Sequence, residues 1–199
     1  PVIFMKLDLG ALEERPTDRV QGLRSMIEEM LPTLQQHTCS PGVEGGFFQR
    51  VERGTWAGHV AEHIALELQG LAGHRVTFGK TFTLKEKGMY NMVFRYLDEH
   101  VGLRAGEMAV EMVRDLFDGK STEIAPLVEE LKTIAQTAQF GPSTQAIIDE
   151  ARARGIPYLR LNDQSYVQLG QGKFQRRIEA TLMDDTSALG VEIAADKGR

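Results

Sequence analysis

The sequence predicts an α+β protein, with helices packed on a small mixed or antiparallel sheet. Three observations predict it. Residues 2–9 (VIFMKLDL) form a strand-like run at the very start. Apolar residues then recur at helical spacing over 19–34 and 55–71. Two further strand-like runs, 75–84 and 89–97, are joined by the turn Lys85-Glu86-Lys87-Gly88.

Taken in order, the 2–9 strand is followed by a helix over 19–34. Val20, Leu23, Met26, Ile27, Met30, Leu31 and Leu34 share one face of it, and Pro32 kinks or ends it. A turn-rich loop, His37 to Gly46 (HTCSPGVEGG), holds the single cysteine, Cys39, and leads through Phe47, Phe48 and Arg50 to the next helix. That helix begins after Gly54, with Thr55 as its expected N-cap. After the strand pair, helices are expected over 102–118, broken at Asp118-Gly119-Lys120-Ser121, and over 122–138, where Ile124, Leu127, Val128, Leu131 and Ile134 lie on one side. The character changes at Gly141-Pro142-Ser143-Thr144. A helix (143–154), a strand (158–161), a strand pair (165–170 and 174–183) and a last helix (185–195) read as a separate small α/β unit. The expected division is therefore 1–138 and 139–199.

The whole chain bounds the function class. Its 199 residues are 42% hydrophobic and 26% charged, enough for a domain with a real core. A net charge of −5 gives no electrostatic case for nucleic acid or an anionic membrane as partner. One cysteine excludes an internal disulfide and suits a reducing cytoplasm. No apolar run has the length of a membrane span, and the start lacks a signal-peptide layout. The chain opens on Pro1 and stops at Asp-Lys-Gly-Arg, so a fragment of something longer is expected.

The chemistry concentrates in 55–71 (TWAGHVAEHIALELQGL). At about 100° per residue, Ala57, Val60, Ala61, Ile64, Leu68 and Leu71 gather on one arc, and His59, Glu62, His63, Glu67 and Gly70 on the other. Two imidazoles four residues apart stand one turn apart, close enough to share a metal ion. His59, Glu62 and His63 spell H-x-x-E-H, the reverse of H-E-x-x-H, in which two histidines hold zinc and the glutamate serves as base. Only five histidines occur (37, 59, 63, 74 and 100), and two of them fall at this spacing. The bland alternative is a solvated polar helix face. A catalytic zinc site wants a third protein ligand and a water, and spacing leaves Cys39, His37, Glu67, Glu107 and Glu111 open. Arg50 and Arg53, just before the helix, are candidates to hold an anionic substrate. Neither G-x-x-x-x-G-K-[ST] nor G-x-G-x-x-G occurs, so no complete phosphate loop is present.

The blocks HVAEHIALELQ, HTCSPGVEGGFFQRVERGT, GPSTQAIIDEARARGIPYLRLNDQSYVQLGQGKFQRRIEAT and GVEIAADK resemble the cyanophycin synthetases, and the resemblance runs over essentially the whole chain. It implies an N-terminal domain followed by the opening segment of an ATP-grasp domain, with the rest of that domain and a Mur-ligase-like domain missing here. It further implies a homo-oligomeric parent that uses ATP and Mg to join Asp and Arg into cyanophycin, a poly-aspartate carrying arginine on its side chains. Some members also carry a zinc-dependent hydrolytic site that cuts the polymer internally and makes primers. Carried over, the resemblance gives Cys39, His59 and His63 as ligands and Glu62 as general base. It also places Ser143 and Glu192 at the polymer end and Lys197 at ATP. The rival reading is a non-catalytic polymer-docking or oligomerisation module with a structural or vestigial metal site.

Overall fold

The computed structural model describes residues 1–138 and 140–195. It divides into two compact units, Pro1–Gln136 and the part from Thr137 onward. Lys197 lies outside the described residues. The architecture is α+β, and both of its sheets are antiparallel.

In the first unit, β1 (Val2–Asp8), β2 (Gly79–Thr83) and β3 (Met89–Arg95) form a sheet of order β1-β3-β2. The register pairs Ile3 with Phe94, Met5 with Met92 and Leu7 with Tyr90. These alternate positions make one apolar face, while Val2, Phe4 and Lys6 between them are exposed, as expected of a sheet packed on one side only. The inner face meets two helices, α3 (Ala57–Leu71) and α4 (Glu99–Phe117), which also pack on each other. Asp98 caps α4 by accepting from the Val101 N–H at 3.1 Å. α5 (Ile124–Ala138) adds Leu131 and Ala135 to the same core.

Three local expectations change. The helix over 19–34 is shorter: α1 runs Leu23–Met30, because Gly22 in the left-handed region (φ 74°) blocks it upstream. Pro32 then opens a 3-10 turn, Pro32–Gln36. The stretch leading into the motif is itself a helix, α2 (Gly46–Arg53), with Phe47, Phe48 and Val51 buried. Thr55 is not the cap of α3: Trp56 holds that position and makes no side-chain cap bond.

The second unit comprises α6 (Pro142–Ala153), the meander β4 (Tyr158–Arg160), β5 (Tyr166–Leu169), β6 (Arg176–Glu179) and β7 (Leu182–Met183), and α7 (Ala188–Ala195). Ile148, Val167 and Ile178 form its small core. The strand expected over 174–183 is split where Ala180 takes φ 54°. Among the described residues, no helix is long and apolar enough to cross a membrane.

One glycine fixes where the cysteine loop ends. A Cβ on Gly46 would lie 1.8 Å from the Thr38 carbonyl oxygen, which is backbone and cannot swing aside. Gly46→Ala is therefore expected to force the 38–46 loop off α2. Its cost should reach at least the overpacking range of about 1–3 kcal/mol, read as a lower urea midpoint at unchanged m-value.

Candidate metal centre

The helix that carries the motif is buried almost all round. Ala57, Val60, Ala61, Ile64 and Leu68 fill the core as their spacing predicts, while Leu71 at the end remains 36% exposed. The other arc is not solvated either: Glu62 and His63 are each 5% exposed and Glu67 8%. The loop through His37 and Cys39, α2 and β2 cover it. Phe47 of α2 lies against His63, with ring centroids 4.4 Å apart.

Ligand atoms of Cys39, His59 and His63 gather within 4.8 Å of one another, and among the described residues this is the sole such group of three or more. Cys39 Sγ lies 3.2 Å from His59 Nε2. Thr55 Oγ1 lies 3.1 Å from His59 Nδ1, so the hydroxyl orients this ring through Nδ1 while Nε2 faces the sulfur. Thr55 is itself tied down, its N–H donating to Thr17 Oγ1 at 2.8 Å. Cys39 sits at φ 50°, a left-handed conformation that costs a non-glycine residue about 1–2 kcal/mol. The loop holds that strained residue at the one place where its sulfur meets the imidazoles.

Burial sets the electrostatics. It depresses His59 to about 4, with help from the nearby Arg50 charge. It depresses His63 to about 2, with smaller effects of His59 and His37. Both imidazoles are thus neutral, and a neutral imidazole is the form that binds a metal. Burial pushes Glu62 up to about 6, against hydrogen bonds from Thr81 that hold it down. The Thr81 hydroxyl donates to Glu62 Oε2 at 2.7 Å. Gly79 leaves room for the other oxygen: a Cβ there would lie 2.6 Å from Oε1.

The other third-ligand candidates are engaged elsewhere. Glu67 Oε2 bonds His37 Nε2 at 2.8 Å, and Thr33 donates to Glu67 Oε1. Burial raises the Glu67 carboxyl, but the hydrogen bonds from His37 and Thr33, with a smaller effect of the Arg75 charge, hold it below the usual carboxylate range. Glu107 and Glu111 pair with Arg104 at 3.2 and 3.7 Å. Arg50 projects from α2 with its Nε buried and unpartnered. In the second unit, Ser143 on the first turn of α6 and Glu192 on α7 are both exposed. Sequence reasoning missed Thr81, Gly79 and the bond of Thr55 to His59. Only the last had a readable signal, since Thr55 stands four residues before His59.

The donor set fits zinc: one sulfur and two imidazole nitrogens from protein match the three-ligand pattern of catalytic zinc sites. The chain is also similar to known proteins over nearly its whole length. Cyanophycin synthetases of Synechocystis sp. and Trichormus variabilis are each 44% identical over 98% of this chain. That of Crocosphaera subtropica is 43% identical over the same share. The chain spans only 23%, 22% and 23% of those three relatives. The sequence model of the cyanophycin synthase-like N-terminal domain matches residues 4–118, more than half of the chain, and the chain belongs to that family.

Proposed function

We propose that the first unit is a zinc-dependent hydrolase that cuts the backbone of cyanophycin internally, within a longer ATP-dependent ligase. The observation that carries this is the meeting of Cys39, His59 and His63, with a buried carboxyl, Glu62, standing between the two histidines along the same helix. Zinc held by the three ligands would polarise the scissile carbonyl and make water a competent nucleophile at neutral pH. Glu62 Oε1, the oxygen not held by Thr81, takes the proton of the attacking water. As the C–N bond breaks and the C–O bond forms, Glu62 returns that proton to the leaving nitrogen. A carboxyl poised near 6 suits both halves of this shuttle. Arg50, half-buried on α2 and close enough to His59 to disfavour its protonation, takes a carboxylate of the polymer.

A purely structural site would need a fourth protein donor. The nearest further imidazole, His37, spends both of its nitrogens on His63 and Glu67. This favours an open position for water over the non-catalytic module. For the parent we propose ligation of Asp and Arg with ATP and Mg, in a cytoplasmic homo-oligomer. Residues 139–199 would open the ATP-grasp domain there, with Ser143 and Glu192 holding the polymer end and Lys197 touching ATP.

Purified without chelator, the chain should hold about one zinc, as a single three-ligand site requires. The double variant His59→Ala/His63→Ala should hold none, and Cys39→Ser should bind far more weakly in a competition titration. Wild-type protein that takes up no added zinc would refute the metal reading.

Glu62→Gln should retain zinc but lose cleavage by about 10²–10⁴-fold, the usual worth of a general base. Chain length of native polymer, followed at matched zinc content, measures this. Wild type should yield fragments of several residue pairs rather than single dipeptides, and equal cutting by both proteins would remove Glu62 from the mechanism.

The metal-free protein offers a pH test. The folded pKa of Glu62, about 6, exceeds the ordinary 4.5, so the folded state binds its proton more tightly than the unfolded state. Below 4.5 both states are protonated and the stability is fully present. As pH rises through 4.5 to 6 the unfolded state ionises first, and stability falls by about 2 kcal/mol in total. The stability of Glu62→Gln relative to wild type should therefore rise by that amount between about pH 3 and 7.5 in denaturant melts. A constant difference would contradict the burial assigned to this carboxyl.

A further inference from the structure

Both nitrogens of His37 are engaged. Nε2 lies 2.8 Å from Glu67 Oε2, and Nδ1 lies 2.9 Å from Nδ1 of His63. The carboxylate accepts and cannot donate, so His37 must present its proton at Nε2. In a neutral ring that leaves Nδ1 as a lone pair, which can only accept. His63 must then donate from Nδ1, and its Nε2 is left as the unprotonated nitrogen. The end of this chain is fixed too: Thr33 on the 3-10 turn donates to the second oxygen of Glu67. His63 and Glu67 stand four residues apart on α3, so the helix itself places the two ends of the chain on one face.

We infer that His37, oriented by Glu67, is a positioning residue for the zinc site, selecting the tautomer of His63 that leaves Nε2 free for the metal. This rests on the zinc reading above and assigns His37 and Glu67 a part in it as supports rather than ligands. Metal-binding imidazoles in general need such a partner on the second nitrogen, and removing it costs about 10–100-fold in affinity. Thr55 has the corresponding place behind His59, as a neutral hydroxyl where His63 has an ionised relay.

The test uses metal-free protein at pH 8. Long-range proton–nitrogen NMR of the imidazoles should find His63 as the Nδ1–H tautomer in wild type. His37→Phe keeps an aromatic ring against His63 but offers no acceptor. It should shift His63 toward Nε2–H and weaken zinc binding about 10–100-fold in competition with a chromophoric chelator. Glu67→Leu, which frees His37 to move its proton to Nδ1, should do the same and serves where His37→Phe fails to fold. His37→Gln, whose side-chain oxygen can accept from His63, should recover most of the affinity and the wild-type tautomer. Wild-type His63 protonated at Nε2 overturns the inference, as does wild-type zinc affinity in both His37→Phe and Glu67→Leu. Loss of zinc as complete in His37→Phe as in His63→Ala would make His37 a ligand and also overturn it. Zinc uptake without polymer cleavage removes the hydrolase reading alone, whereas no uptake by wild type overturns both.

Discussion

The structure depends on the burial of α3 on every side. An apolar stripe on one arc explains its contact with the sheet and α4, but not the position of anything on its other arc. There Glu62, His63 and Glu67 are each at most 8% exposed. A polar group taken out of water without a partner costs roughly 2–7 kcal/mol, and a charge more. Each of these side chains therefore demands a partner, and the partners come from the segments that cover the arc: Thr33 and His37 from the 3-10 turn and loop, Thr81 from β2. The polar arc specifies where the edge strand and the cysteine loop lie, as firmly as the apolar arc specifies the core.

That logic also separates what was legible in the sequence from what was not. The strands β1 and β3 and the helices α3, α4 and α5 follow from periodicity, because alternation and the 3.6-residue repeat are local properties. The same repeat sorts α3 into two arcs but is silent on what covers each, and the second arc reads as solvated. α2 was hidden by its Gly45-Gly46 start, although Phe47 and Val51 stand at i,i+4. The third ligand was open by spacing, with Cys39, His37, Glu67, Glu107 and Glu111 all admissible. The choice among them is a long-range matter: Glu107 and Glu111 go to Arg104, and Glu67 goes to His37. What brings Cys39 to His59 is the path of a loop whose glycines take left-handed angles at Gly42 and Gly45, with Gly46 seated on the Thr38 carbonyl. A path of that kind is a sum of turns, and no pair spacing encodes it.

The site is held by its surroundings more than by its own contacts. Cys39 is strained, two imidazoles are kept neutral by desolvation, and Glu62 resists ionising. Each of these works against stability, and strain of this kind persists only where the scaffold over-determines it. The scaffold does so from two directions: Phe47 and Phe48 of α2, both fully buried, brace the loop side, and the sheet braces Glu62 through Gly79 and Thr81.

Charge balance then suggests what such a site is built to accept. Two neutral imidazoles contribute no charge, while a cysteine that binds metal does so as thiolate, with one negative charge. Glu62 as carboxylate adds a second, and together they offset the two positive charges of zinc. Arg50 is left over, close enough to His59 to disfavour its protonation and with a buried N–H that has no partner. Among the groups nearest the ligands, Arg50 is then the remaining cation. In the polymer implied by the resemblance, each arginine is joined to the backbone through its amino group and so keeps its own carboxylate. Under the function proposed above, that is the kind of group Arg50 would pair with.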